Sequence, residues 1–416
     1  MCEYKIVGGR PLGGHLAMQG AKNSVLPILA ATVLAPGESV IHNCPRLSDV
    51  SATLEILRAL GCRVTQEGHT VCVDAAPLSG FRVPDRLMGE LRSSVTFMGG
   101  LISRCGQVEL AYPGGCQLGP RPIDLHLSAL RSLGAKVQEK QGRLVCSGGS
   151  QMSGGEICLS IPSVGATENA MLAGVGCRGE TVIIGAAREP EIEDLQTFLC
   201  AMGAQVEGAG TSVIRIKGGR KLRPAEHTVI GDRMEAATYL CAVGAAGGCI
   251  SLSGVDPRHL SSVLSVLEEA GVDIHVGTDT ISAACAAPLC GVRPIRTAPH
   301  PGFPTDAQAP LMAALCCGTG TSMFVENIFS SRYGHVGELA RMGADIQVDG
   351  RVAVVTGRRL HGAEVRGTDL RGSAAMVVAA LGAEGESRVS GVHHILRGYD
   401  NFDGKLRTLG GAVEVT

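Results

Sequence analysis

The chain has 416 residues, and its 37 Lys and Arg against 39 Asp and Glu leave a formal net charge of -2. So even a balance excludes the electrostatic footprint of a nucleic-acid or anionic-membrane binder, and any anion must be met by a local cluster of cations. The length is more than one core fills comfortably and points to two domains of roughly 200 residues each.

No apolar run approaches about 18 residues, and no basic, apolar, cleavable segment opens the chain, so a cytoplasmic location is expected. The 16 Cys include no Cys-x-x-Cys pair, and most lie in apolar stretches such as Leu240-Cys241-Ala242-Val243. They are expected to act as small buried hydrophobes, and no metal site is expected.

Taken in chain order, the predicted elements repeat. Six times a helix-like run ends in Gly and a short alternating strand follows: Leu60-Gly61-Cys62-Arg63-Val64, Leu133-Gly134-Ala135-Lys136-Val137, Met202-Gly203-Ala204-Gln205-Val206, Ala270-Gly271-Val272-Asp273-Ile274, Met342-Gly343-Ala344-Asp345-Ile346 and Leu409-Gly410-Gly411-Ala412-Val413. The glycines stand 73, 69, 68, 72 and 67 positions apart, and only the sixth copy, at Ala412, breaks the alternation. Lacking a Cβ, Gly can close a helix in the left-handed conformation, and the triplet after it reads as a half-buried strand. Six copies at one period mean an array of six units, three to a domain.

Each unit opens with a helix of small residues, at 24–35, 93–103, 168–176, 235–246, 307–317 and 373–382, apolar on nearly every face and therefore predicted to be buried. A β-like run follows, introduced by Gly37, Gly106, Gly179, Gly248, Gly320 and Gly385 in turn. Next come a loop and the amphipathic helix that ends in the repeated Gly; in the first copy Val50, Leu54, Leu57 and Leu60 share one helical face. Since the small-residue helices have no polar face for water, the expected architecture is α/β, with helices enclosed by sheets.

The loop before each amphipathic helix carries an Arg: Arg46, Arg121, Arg188, Arg258, Arg332 and Arg397. One reading is a structural habit of the repeat. The other is that these guanidinium groups and helix N-termini converge at one end of each domain, where they hold phosphates without a high net charge. Five loops reach their Arg 9 to 12 residues after the Gly that opens the preceding strand, while the second takes 15. Its extra length is Tyr112-Pro113-Gly114-Gly115-Cys116-Gln117-Leu118-Gly119-Pro120-Arg121, whose Gly and Pro content excludes regular structure and leaves Cys116 exposed, unlike the other fifteen Cys. Beside Arg121 the thiol's ionisation is favoured, which suits a proton donor or a nucleophile. Lys22 and Asn23 precede the first buried helix at the positive end of its dipole; Thr305-Asp306 and Asp369 occupy the same place in the fifth and sixth units. All of these also fit a plain capping role.

Several motifs together carry a resemblance: Gly20-Ala21-Lys22-Asn23; Pro113-Gly114-Gly115-Cys116 with Gly119-Pro120-Arg121-Pro122; Ser163-Val164-Gly165-Ala166-Thr167; Arg188-Glu189-Pro190-Glu191; Arg296-Thr297-Ala298-Pro299-His300-Pro301 with Phe303-Pro304-Thr305-Asp306; and Arg397-Gly398-Tyr399. In this order and over essentially its whole length, the chain resembles the UDP-N-acetylglucosamine 1-carboxyvinyltransferases, the enolpyruvyl transferases that open bacterial peptidoglycan precursor synthesis. The resemblance implies a two-domain inside-out α/β barrel of six βαβαββ-type repeats. Residues 22–229 would form a catalytic-loop domain carrying Cys116, and residues 1–21 with 230–416 a second domain carrying Asp306 and Arg397, with the active site in the cleft between them.

It also implies transfer of the enolpyruvyl group of phosphoenolpyruvate to the 3-hydroxyl of the sugar, with release of phosphate and without a cofactor. By matching position Cys116 is the proton donor and the site of covalent adducts, including that of a fosfomycin-type epoxide; Asp306 is the candidate base. An acid and a base must be separate groups here, because carbon gains a proton while the attacking hydroxyl loses one. Lys22, Asn23, Arg121 and Arg397 match the phosphoenolpyruvate clamp. Arg92, Arg121, Pro122, Ile123, Asp124, Leu125, Ser163, Val164, Gly165, Asp306 and Ile328 match the nucleotide-sugar site. One departure is Ile161-Pro162, where some members carry a Lys shortly before the Ser-Val-Gly turn; backbone N–H groups of that turn remain to meet a diphosphate. The rival readings are the sister enzyme acting on shikimate 3-phosphate, which lacks the Pro-Gly-Gly-Cys motif, and an inactive paralogue that only binds.

Overall fold

The computed structural model describes residues 3–90, 92–111 and 123–416. The chain divides into two compact units, one running from Gly20 to Ile230 and the other made of the segment up to Gln19 together with Gly231–Thr416.

Six central helices carry the small-residue segments: α1 (Lys22–Ala31), α2 (Phe97–Cys105), α3 (Val164–Gly176), α4 (Arg233–Ala246), α5 (Thr305–Cys316) and α6 (Leu370–Gly382). Their burial is close to complete on all faces; in α6 every residue from Ser373 to Ala380 has no exposed surface. Small side chains let helices approach closely. A Cβ on Gly99 of α2 would lie 2.4 Å from the backbone oxygen of Asn169 on α3, so only Gly fits there. The second helix starts at Phe97, four residues later than its pattern predicts, because Arg92–Thr96 winds as a 3-10 turn. Ser, Thr and Val there are weak helix formers.

All six β runs are strands, at Glu38–His42, Gln107–Ala111, Glu180–Ile184, Gly248–Ser253, Thr321–Val325 and Glu386–Ser390. The six repeated glycines, Gly61, Gly134, Gly203, Gly271, Gly343 and Gly410, all have φ between +85° and +103°, the left-handed closure that their spacing predicts. Among the described residues the strands form six sheets of one plan. The run after the central helix pairs antiparallel with a return strand, the return strand pairs with the strand after the repeated Gly, and a parallel strand or bridge flanks the other side.

Three sheets depart from simple repetition in a way that the period does not reveal. In the fourth repeat the parallel strand is Leu12–Ala17, beside Gly248–Ser253, and in the first it is Glu226–Thr228, beside Glu38–His42. The strand that precedes each crossing thus completes the first repeat of the unit the chain is leaving. In the sixth sheet the return strand is the N-terminal Tyr4–Val7, held between Glu386–Ser390 and Ala412–Val415. The Ala412 irregularity does not prevent that last strand.

Candidate active site

Asp306 is the second residue of α5. It does not cap the helix. Its Oδ1 accepts from Arg332 Nη2 at 3.1 Å, and its Oδ2 lies 3.2 Å from Arg371 Nε and 3.1 Å from Arg371 Nη2. Both arginine side chains are almost fully buried, at 2% and 3% exposure, while the carboxylate keeps 30% of its surface open. Two guanidinium groups therefore hold one carboxylate with a face toward solvent. Arg371 is fixed further by donating to Tyr399 Oη at 2.9 Å, which also pairs with Thr238 Oγ1 at 2.8 Å. Burial works against the Arg371 charge, yet Tyr399, Asp306 and Asp232 outweigh it and raise its pKa, so the cation is secure.

The N-terminus of α5 rests on Glu326, which is 1% exposed. Its carboxylate accepts from Thr297 Oγ1 at 2.9 Å, Thr305 Oγ1 at 3.0 Å, Ile328 N at 2.8 Å and Phe329 N at 3.1 Å. One buried acid thereby ties the Thr297 and Thr305 motifs to the loop that presents Ile328, whose side chain is 37% exposed. Asp369 is a true cap of α6, accepting from the backbone of Arg371 and Gly372 at 3.1 Å each. Arg397 ends the 3-10 turn Val392–Arg397 and is partly buried.

In the other unit Lys22 opens α1 with its Nζ 2.6 Å from Asp49 Oδ2, and Asn23 is exposed and caps nothing. Ser163 is the N-cap of α3, its Oγ accepting from Ala166 N at 3.4 Å, so Val164 and Gly165 form the first turn. Gly165 is packed so closely that a Cβ would meet His126 Cε1 at 2.9 Å; His126 in turn contacts Asn169 at 2.7 Å. Ile123 is buried and Asp124 starts the next helix, with Leu125 beside it. Ile161 is 62% exposed ahead of the Ser163 turn, an apolar surface where a Lys was the alternative. Cys116, Arg121 and Pro122 lie outside the described residues, as does the side chain of Arg92.

One expectation needs correction. The cysteines other than Cys116 are not all buried, for among the described residues Cys158, Cys200 and Cys249 are exposed, because strand and helix surfaces leave one face outward whatever the residue, and Cys290 is exposed in a loop. The loop arginines divide between the two readings given for them: Arg258 sits on the surface 2.6 Å from nearby Asp256, and Arg46 donates to Gly68 O, whereas Arg332 is buried on Asp306. Arg371 and Glu326 were not identifiable by position in the repeat. Only their polar character inside apolar surroundings signals them.

Among the described residues no group of three or more His, Cys, Asp and Glu could hold a metal ion, and no helix is long and apolar enough to cross a membrane. One unit thus carries a carboxylate held by two buried arginines at the head of a central helix, and the other carries a Lys at the start of one central helix and a capped turn at the start of another. Residues 6–406 match the family model of EPSP synthase (3-phosphoshikimate 1-carboxyvinyltransferase), and the chain belongs to this family of enolpyruvyl transferases. Within it, the chain is similar to UDP-N-acetylglucosamine 1-carboxyvinyltransferase 2 of Caldanaerobacter subterraneus subsp. tengcongensis, 47% identical over 414 residues and 99% of each chain. It is also similar to UDP-N-acetylglucosamine 1-carboxyvinyltransferase 1 of Symbiobacterium thermophilum, 46% identical over 99% of this chain and 94% of the relative. The crystal structure of the enolpyruvyl transferase NikO from Streptomyces tendae superposes with a TM-score of 0.88 at 26% identity, covering 100% of this chain and 99% of that one.

Proposed function

We propose that the protein transfers the enolpyruvyl group of phosphoenolpyruvate to the 3-hydroxyl of UDP-N-acetylglucosamine, releasing phosphate, as a cytoplasmic enzyme of peptidoglycan precursor synthesis. The identity of 47% over nearly the full length of a protein bearing that name supports the substrate pair. The observation that carries the chemistry is Asp306 between Arg332 and Arg371.

In the addition step the methylene carbon of phosphoenolpyruvate gains a proton, the sugar oxygen bonds to the neighbouring carbon, and the hydroxyl proton leaves. Cys116 supplies the proton to carbon and Asp306 receives the one from oxygen. Arg332 and Arg371 fix the Asp306 carboxylate in place to receive that proton as the C–O bond forms. Elimination then breaks the bond to phosphate while the new methyl group returns a proton, restoring the double bond. Lys22, Asn23, Arg121 and Arg397 hold the phosphate and carboxylate of phosphoenolpyruvate. Arg92, the segment Arg121 to Leu125, the Ser163-Val164-Gly165 turn, Asp306 and Ile328 receive the nucleotide sugar, with the two domains closing on both substrates. At the Ser163 turn backbone N–H groups substitute for the Lys that Ile161-Pro162 lacks.

The test is Cys116→Ser with both substrates. Turnover should fall strongly while UDP-N-acetylglucosamine binding, measured calorimetrically, is retained. A fosfomycin-type epoxide should label Cys116 in the presence of the nucleotide sugar, with mass spectrometry separating it from the four thiols exposed among the described residues. Cys158 is a poor competitor, since its hydrogen bond to Glu156 raises its pKa and keeps it protonated. Undiminished turnover of the Ser variant, or activity with shikimate 3-phosphate in place of the nucleotide sugar, would overturn the assignment.

A further inference from the structure

Gln19 is the last residue of its unit before the chain crosses to the other, and it is 6% exposed. All of its polar groups are engaged within that unit. Its backbone N–H donates to Glu235 Oε2 at 2.8 Å, and its backbone oxygen accepts from Asp232 N at 2.8 Å. Its side-chain amide donates to Gly398 O at 2.9 Å and accepts from Asp400 N at 2.7 Å. The amide thus acts as an additional peptide group, pairing with the main chain on both sides of Tyr399, just beyond Arg397.

The anchor behind Gln19 is firm. Glu235 is fully buried on α4, and its other oxygen lies 2.5 Å from Lys405 Nζ, on the helix Phe402–Thr408. Meanwhile Tyr399 is held from its far side by Thr238 and Arg371. The backbone after Arg397 leaves its 3-10 turn here, with Gly398 N and Tyr399 N both donating to Ile395 O at 3.0 Å. Without the Gln19 amide, a carbonyl and an N–H of this exit segment would lose their partner, and the turn that carries Arg397 would lose its fixed end.

We infer that Gln19 is a positioning residue that sets the Arg397 guanidinium on the phosphoenolpyruvate anion by clamping the main chain at Gly398 and Asp400. This rests on the reading of Arg397 as part of the phosphoenolpyruvate clamp. A guanidinium acts on an anion through bonds of fixed direction, so a displacement of about 1 Å is enough to weaken it severely.

The experiment is a double-mutant cycle of Gln19→Met and Arg397→Lys, with KM and kcat measured for each substrate and melting temperature alongside. Gln19→Met should raise KM for phosphoenolpyruvate about tenfold and leave KM for UDP-N-acetylglucosamine within about twofold. In the Arg397→Lys background the same change should add little, because the group it positions is already altered. An unchanged phosphoenolpyruvate KM in Gln19→Met, or a full multiplicative effect in the Arg397→Lys background, overturns the inference while leaving the Arg397 reading intact. An Arg397→Lys variant with wild-type phosphoenolpyruvate KM removes that reading and the inference with it. Should Gln19→Met not fold, Gln19→Glu serves the same cycle, since it keeps the acceptor for Asp400 N and loses only the donor to Gly398 O.

Discussion

The carboxylate of Asp306 is where chemistry and stability meet in one side chain. Asp306→Asn keeps the shape and removes the charge that balances two buried guanidinium groups. Turnover should fall by about 10²- to 10⁴-fold, the range for loss of a positioned proton acceptor. Stability should fall as well, by up to about 3–5 kcal/mol, since breaking a buried ion pair strands its partners. Chemical denaturation and saturating steady-state kinetics separate the two, and a turnover within tenfold of wild type would deny Asp306 the role of base. That Asp306 mattered is legible in its motif, but its grip is not. Arg332 is visible as one of six loop arginines, whereas nothing local to Arg371 marks it as a partner of Asp306, and Glu326 looks like any strand-end acid until the fold gathers four donors around it.

Among the elements, the repeated glycines are the most legible feature, because one backbone requirement recurs in one local context. Gly271 isolates that requirement. Its φ is +103°, and a Cβ there would meet nothing within 4 Å. Gly271→Ala should therefore cost about 1–3 kcal/mol from backbone strain alone, with activity unchanged, as read by urea denaturation. No loss would mean that the left-handed closure is not what selects Gly. The strands that follow each central helix are equally legible from their alternation. What pairs with them is not, because register between distant segments leaves no local trace: nothing in Tyr4–Val7 announces that it serves as the return strand of the sixth sheet, nor in Leu12–Ala17 that its neighbour lies beyond residue 247.

On the scale of the whole molecule, buried titrating groups make stability depend on pH. Glu168 on α3 is pushed up to about 8 by burial, with Thr96 opposing and Glu191 and Glu189 adding to the rise. Its folded form thus holds a proton that the unfolded chain releases near pH 4.5, so its contribution falls as pH rises from there through about 8. Glu235 shifts in the same direction, chiefly through burial and against the pull of Lys405. His335 works oppositely: burial lowers it to about 4, and it favours the fold increasingly as pH rises from about 4 to 6.5. Above that window the carboxyls alone remain, so melting temperature should decline between about pH 6.5 and 8. Glu168→Gln should flatten the decline, and an unaltered slope in this variant would show that Glu168 does not carry that proton.

The pairing of Tyr4–Val7 with Ala412–Val415 has a consequence for biogenesis. Residues 20–230 form a contiguous body that can mature while ribosomes are still at work, but Leu12–Ala17 must stay unmatched until Gly248–Ser253 has been translated, and Tyr4–Val7 until its mates some four hundred codons downstream have been. Throughout that interval they present bare edges to the cell, which makes nascent-chain chaperones the natural custodians of this protein's first residues.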